Sequence, residues 1–345
     1  MIKLNKHNFI DINSSSSDIF KRFTKLSHKI MFVLENQKLA GTITDGDLRN
    51  YILNFKHNIS LKLIMNKKPK YIFSNKEISK NFKYAYKNIR YLPIVNEKKK
   101  IIKVLDLSEE FIKNTSVEIC ILAGGYGKRL YPITKKIPKP LIPINGIPNI
   151  ERILKFLIKN NFRKFNLFLG YKSDLIIKFI KKKFSKNYFK FYVEKSPLGT
   201  AGPLTNIKLD KKTPLIVINA DLVTDVNLPS LLYYHFLNKA DVIVCIKKQS
   251  YNLQFAEILI KRNKIIKINE KPNKNYYFNA GIYILNSDMI EYLKKNAKKD
   301  MPEFLELLIK NKKNIKAFYL YEKWFDYGTG ETLNLFNKKL SKTVK

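Results

Sequence analysis

From residue 117 onward, short apolar runs with a strand-like look recur along the chain: "VEICIL", "KFNLFL", "FKFYV", "PLIVINA" and "DVIVCIK". Between them lie segments of helical period. In "NIERILKFLIKN", Ile150, Ile153, Leu154, Leu157 and Ile158 fall on one face, and "KSDLIIKFI" repeats the pattern with Ser173 placed as its N-cap. Strands alternating with helices predict an α/β fold, a doubly wound and mostly parallel sheet. The later stretch "KIIKINEKPNKNYYFNAGIYIL" is richer in β pattern and predicts additional strands or an edge sheet.

The first 110 residues follow a different rule. Residues 30 to 47, "IMFVLENQKLAGTITDGD", align without gaps at an offset of 62 with residues 92 to 109, "LPIVNEKKKIIKVLDLSE". Val33 corresponds to Val95, Glu35 to Glu97, Leu39 to Ile101 and Asp47 to Glu109. Each copy reads as strand, charged turn, strand and helix start, an internal duplication of one small α+β unit. The polar run "DLSEEFIKNTS" then separates an N-terminal unit (1–110) from a larger domain (117–345), with residues 111–116 as linker.

Composition adjusts this picture only in part. The formal charge of +38 invites a polyanion partner, yet of 66 basic residues seven are arginine and 59 lysine, scattered beside abundant Asn and Ile. A nucleic-acid groove favours clustered bases and arginine forks, so specific nucleic-acid binding is not expected. The N-terminus "MIKLNKHNFIDIN" lacks the apolar core of a signal peptide, and no apolar run reaches the ~18 residues of a membrane span, so a soluble cytoplasmic protein is expected. Cys120 and Cys245 sit inside apolar strands and read as core. The four histidines have no ligand spacing, and His235 reads as structural.

The chemistry concentrates in "ILAGGYGKRLYPITKKIPKPL", residues 121–141. It lacks the third glycine of a dinucleotide fingerprint and the glycine and Ser/Thr positions of a P-loop. Its physics is nevertheless that of a phosphate cradle. A strand ends at Leu122, and Gly124, Gly125 and Gly127 let backbone N–H groups approach a triphosphate. Arg129 adds a planar fork, and Pro138 and Pro140 limit the freedom of Lys139 between them.

With the segments "EKSPLGTAGPL", "INADLVTD", "EKP", "NAGIYIL" and "WFDYGTGETL" following in order, residues 117 to 337 resemble the sugar-1-phosphate nucleotidyltransferases. The resemblance implies transfer of a nucleoside monophosphate from an NTP to a sugar 1-phosphate, with release of pyrophosphate. It implies Gly124, Gly125, Gly127 and Leu122 on the nucleotide, Arg129 and Lys139 on its phosphates, and Asp221 and Asp326 on Mg²⁺. Pro197, Gly199 and Thr200 would recognise the base through backbone groups. Glu270 and Lys271 would contact the sugar phosphate with Asn279 and Gly281 in the same pocket, while Glu194 and Lys195 would lie beside the nucleotide. Lys128, Ala220 and the "QFAEI" segment with Phe255 and Ala256 depart from the common family pattern, the last where relatives touch the sugar.

The duplicated N-terminal unit resembles a tandem CBS pair, whose glycine, threonine and aspartate the first copy keeps as Gly41, Thr44 and Asp47 of "GTITDGD", which implies an adenine nucleotide at Thr44 and Asp47; Lys103, Asp106 and Glu109 replace these three in the second copy. CBS pairs fused to this domain resemble guanylyltransferases that make GDP-hexosamines for bacterial nonulosonates such as legionaminic acid. That favours GTP with glucosamine 1-phosphate or mannose 1-phosphate. Uridylyl, thymidylyl or cytidylyl transfer stays open, as do homo-oligomerisation and a catalytically inactive adenine-nucleotide sensor.

Overall fold

The structure, a computed structural model, describes residues 4–333 other than 24, 27–28, 55–59, 76–88, 108–111, 113–114, 186–187, 211 and 331. The period of 62 is a structural period. Strands β1 (Phe9–Asp11), β2 (Ile30–Glu35) and β3 (Lys38–Thr44) make one three-stranded sheet, and β4 (Ile72–Phe73), β5 (Tyr91–Val95) and β6 (Ile101–Asp106) make another. In both, the first strand is parallel to the second and the second antiparallel to the third. The β2–β3 hairpin turns through Asn36 and Gln37, both left-handed at φ 50° and 63°, the backbone that a tight hairpin of this hand requires. Helices α1 (Ser16–Phe23), α2 (Asp45–Asn54) and α3 (Leu61–Ile64) complete the first copy. Glu109, and with it the start of a helix after the second copy, lies outside the described residues.

The larger domain comprises β7 (Glu118–Ala123), the short pair β8 (Pro143–Ile144) and β9 (Ile147–Pro148), β10 (Phe165–Leu169), β11 (Phe189–Val193), β12 (Pro214–Asn219), β13 (Leu222–Thr224), β14 (Val242–Asn252), β15 (Glu257–Lys261), β16 (Lys264–Asn269), β17 (Asn273–Asn286), β18 (Ile315–Tyr319) and β19 (Trp324–Asp326). Its described helices are α4 (Ile133–Lys136), α5 (Asn149–Lys159), α6 (Ser173–Lys183), α7 (Leu228–Leu237) and α8 (Met301–Lys310). Seven strands form one sheet in the order β11-β10-β7-β12-β17-β14-β18. All run in one direction except β17, which is antiparallel to both neighbours.

Alternation along the strands fills two cores, one on each face of the sheet. Ile119 and Ile121 of β7 pack with Leu154 of α5, Ile176 of α6 and Leu231 of α7, whereas Cys120 packs on the other face with Phe304 and Leu308 of α8. Burial drives both cysteine thiols above their ordinary pKa, which leaves them inert core residues. Strands β15 and β16 form the separate edge sheet expected from the sequence.

One sequence expectation needs correction. Ser173 is the first residue of α6 rather than its cap; the cap position is Lys172, in the left-handed region, with no side-chain hydrogen bond. Within the expected linker, Ile112 is buried in the larger core, so this part of the connection is packed. Among the described residues no helix is long and apolar enough to cross a membrane.

Candidate active site

The strand β7 ends at the centre of the sheet, and the glycine loop emerges from its carboxyl end, where open α/β sheets place their ligands. Gly127 has φ 67°, and a Cβ there would come within 2.9 Å of Thr134. The loop therefore needs glycine to double back over α4. Gly125 faces open space. Leu122, Gly124, Gly125, Gly127, Arg129, Lys139, Pro197, Gly199, Thr200 and Asp221 line one cleft of about 450 Å³, a volume suited to a small-molecule ligand.

Asp221 occupies the turn between β12 and β13. Asn149, fully buried at the start of α5, donates to the carbonyls of Ala220 and Leu222 at 2.8 and 3.0 Å and so clamps the turn on both sides. The carboxylate is held outward. Its Oδ2 accepts from Lys139 Nζ at 2.5 Å, while its buried Oδ1 has no hydrogen-bond partner among the described residues. Asp326 is brought alongside by pairing of β13 with β19, which sets Leu222 opposite Asp326. Lys139 Nζ lies 3.9 Å from Asp326 Oδ1. Burial, and then the neighbouring Asp221 charge, raises the Asp326 carboxyl above its ordinary pKa. Arg129 reaches the same place: a Cβ on Gly328 would meet Arg129 Nη2 at 3.0 Å and Asp326 Oδ1 at 3.1 Å.

The loop after β11 closes the other side of the cleft. Gly199 has φ 78°, and a Cβ there would lie 2.5 Å from the Lys299 carbonyl. The Thr200 hydroxyl accepts from Met301 N–H at 2.7 Å and its backbone N–H donates to Asp300 Oδ1 at 3.1 Å, which ties the loop to the start of α8. Glu194 Oε2 accepts from Leu198 N–H at 2.9 Å, and a Cβ on Gly124 would lie 2.8 Å from its Oε1. Burial raises this carboxyl above its ordinary pKa.

The remaining expected residues divide. Gly281, in the left-handed region at φ 68°, packs against Asn219, a wall residue of the cleft, and its N–H donates to Asn279. Glu270 and Lys271 are exposed in the turn before β17 and do not line the cleft. Sequence reasoning missed Asn149 and Tyr327, whose hydroxyl donates toward the carbonyls of Lys139 and Ala220 at 3.3 and 3.4 Å. Their one signal was a polar residue opening an apolar helix, and a tyrosine adjoining Asp326.

A second cavity, of about 420 Å³, opens in the N-terminal unit. Thr44, Asp45, Gly46 and Asp47 form one wall, Lys68 and Arg90 another, and Ser230 and Tyr233 of α7 close it from the larger domain. Both the Thr44 N–H and hydroxyl donate to Asp47 Oδ2, at 2.8 and 2.6 Å.

Residues 119–343 match the family described as Nucleotidyl transferase. The chain is 32% identical over 219 residues to a mannose-1-phosphate guanyltransferase of Pichia angusta, a match covering 60% of each chain. It is 31% identical over 203 residues to the D-glycero-alpha-D-manno-heptose 1-phosphate guanylyltransferase of Campylobacter jejuni, covering 58% of this chain and 89% of that one. HddC of Yersinia pseudotuberculosis superposes with a TM-score of 0.51 at 27% identity, over 65% of this chain and 99% of that one, and has also been crystallised with GMP-PN. With a phosphate-shaped glycine loop, two facing aspartates and a match running from β7 to beyond β19, the chain belongs to the nucleotidyl transferase family.

Proposed function

We propose that the protein transfers a guanylyl group from GTP to a sugar 1-phosphate, giving a GDP-sugar and pyrophosphate. The observation that carries this reading is the convergence of the glycine loop, Arg129 and Lys139 with the Asp221–Asp326 pair at one cleft. An oxygen of the sugar phosphate attacks the α-phosphorus, the bond to the bridging oxygen breaks, and pyrophosphate leaves with that electron pair. No protein nucleophile is required, so the residues act by positioning and by charge compensation. Two polyanions must meet, and each unit charge pair 4 Å apart is worth about 4 kcal/mol at an effective dielectric near 20. Arg129 and Lys139 offset that repulsion, and loop N–H groups orient the phosphates.

The aspartates fit Mg²⁺. Asp221 offers a buried carboxylate oxygen without a protein partner, and a hard cation that keeps one or two carboxylates plus substrate phosphates needs no third protein ligand. When bound, the ion would neutralise phosphate charge in the cleft. Guanine is favoured by the two guanylyltransferase relatives. A mannose-type or hexosamine 1-phosphate is the proposed acceptor.

For the N-terminal unit we propose a CBS-like pair holding one adenine nucleotide. Thr44 and Asp47 line its cavity, whereas Asp106, the second-copy counterpart of Thr44, does not. Pyrophosphate release, measured across the four NTPs with hexose and hexosamine 1-phosphates, tests the principal reading. Turnover is expected to be highest with GTP; no turnover with any pair would sink it.

A further inference from the structure

Arg49 lies on α2 of the N-terminal unit, is fully buried, and has most of its partners in the other domain. Its guanidinium bonds to Asp45 on its own helix at 2.7 Å and to Glu322 at 2.6 Å, and donates to the carbonyl of Tyr319. It stacks 3.6 Å over the centre of the Phe318 ring and 4.4 Å from that of Tyr321, whose hydroxyl in turn bonds to Asp45. Every residue from 318 to 322 except Leu320 is thus held by Arg49 or Asp45. That segment ends two residues before β19, the strand that carries Asp326 and sets it against β13 beside Asp221. Glu322 also accepts from Asn227 N–H at 3.4 Å, at the cap of α7, the helix that follows β13.

We infer that Arg49 is a positioning residue for nucleotidyl transfer: through Glu322 and the 318–322 segment it fixes where β19 places Asp326. A planar fork wedged between two rings and two carboxylates has little freedom, so it sets the segment's position more tightly than apolar packing would. The Asp326 carboxylate takes a backbone hydrogen bond from Gly328, the second residue after it, and faces Lys139, Arg129 and Asp221, so where it sits follows from where β19 is placed. The N-terminal unit is then part of the frame of the active site. This inference rests on the reading of Asp326 as a cleft ligand.

The test compares full-length wild type with Glu322→Gln and Arg49→Lys. Glu322→Gln keeps the shape of the bridge and removes its charge; Arg49→Lys keeps the charge and removes the fork. Pyrophosphate release with GTP and mannose 1-phosphate gives kcat and KM, electron paramagnetic resonance of Mn²⁺ with GTP gives metal affinity, and thermal melting reports folding. Both variants should melt cooperatively, lose about 10- to 100-fold in kcat with KM for GTP changed less than about twofold, and bind Mn²⁺ correspondingly more weakly. Folded variants with wild-type kcat and Mn²⁺ affinity would overturn the inference. So would a kcat loss that merely tracks the unfolded fraction. A wild type that turns over GTP yet binds no Mn²⁺ would overturn the metal reading of Asp326, leaving the kcat change as the measure of Arg49.

Discussion

Lys139→Ala separates a substrate-binding lysine from a structural ion pair. Lys139 Nζ touches Asp221 at 2.5 Å and approaches Asp326 at 3.9 Å, and the side chain is only 12% exposed, so its charge acts with little solvent screening. One unit charge 4 Å from a phosphate is worth about 4 kcal/mol at an effective dielectric near 20, and partial rearrangement of the site lowers this to about 2–4 kcal/mol. The expected loss in kcat/KM is therefore roughly 30- to 1,000-fold, read as pyrophosphate release with GTP and mannose 1-phosphate. The effect on metal has the opposite sign. Without nucleotide, the ammonium pairs with the two carboxylates that would hold a cation, so its removal should tighten Mn²⁺ binding to the free protein. A variant whose kcat/KM stays within about threefold of wild type, with only a lower melting temperature, would refute the reasoning.

Other outcomes follow from the same structure. Gly199→Ala should cost about 1–3 kcal/mol in urea unfolding, because alanine is strained at φ 78° and its Cβ meets the Lys299 carbonyl, and it should raise KM for the NTP. His235 is buried, and desolvation holds its pKa down to about 4 against 6.5 when unfolded. The unfolded chain thus binds the proton first, so stability is full above pH 6.5 and falls by about 3 kcal/mol toward pH 4; His235→Phe should flatten that slope in pH-dependent melting. AMP should raise the melting temperature of wild type and alter kcat. Asp47→Ala should abolish both effects, while Glu322→Gln should keep the thermal shift and lose the kcat response.

The fold was legible because its signals are local. Ile150, Leu154 and Leu157 recur at helical spacing, and the offset of 62 carried an entire strand pattern from one sheet to the other. The cleft was legible where residue type and function coincide, as in Gly127, where a Cβ would strike Thr134, and Asp221 at a strand end. What stayed hidden depends on tertiary meetings. Arg49 and Glu322 are separated by 273 residues, and nothing in "DGDLRNYILN" or "YEKWFDYG" marks them as partners. Asn149 clamps the Asp221 turn from a helix start whose sequence reads as ordinary. Ser173 was misplaced because the chain enters α6 through a left-handed Lys172, a conformation the residue type does not advertise. Glu270 and Lys271 matched a family segment, but their turn lies outside the cleft.

The most direct measurement follows the α-phosphorus. With [α-³²P]GTP, Mg²⁺ and mannose 1-phosphate, the wild type should move label into a phosphatase-resistant product that comigrates with a GDP-sugar, and Asp221→Asn should lose that transfer. Label appearing only as GMP or GDP, or undiminished transfer by Asp221→Asn, would contradict guanylyl transfer at this cleft.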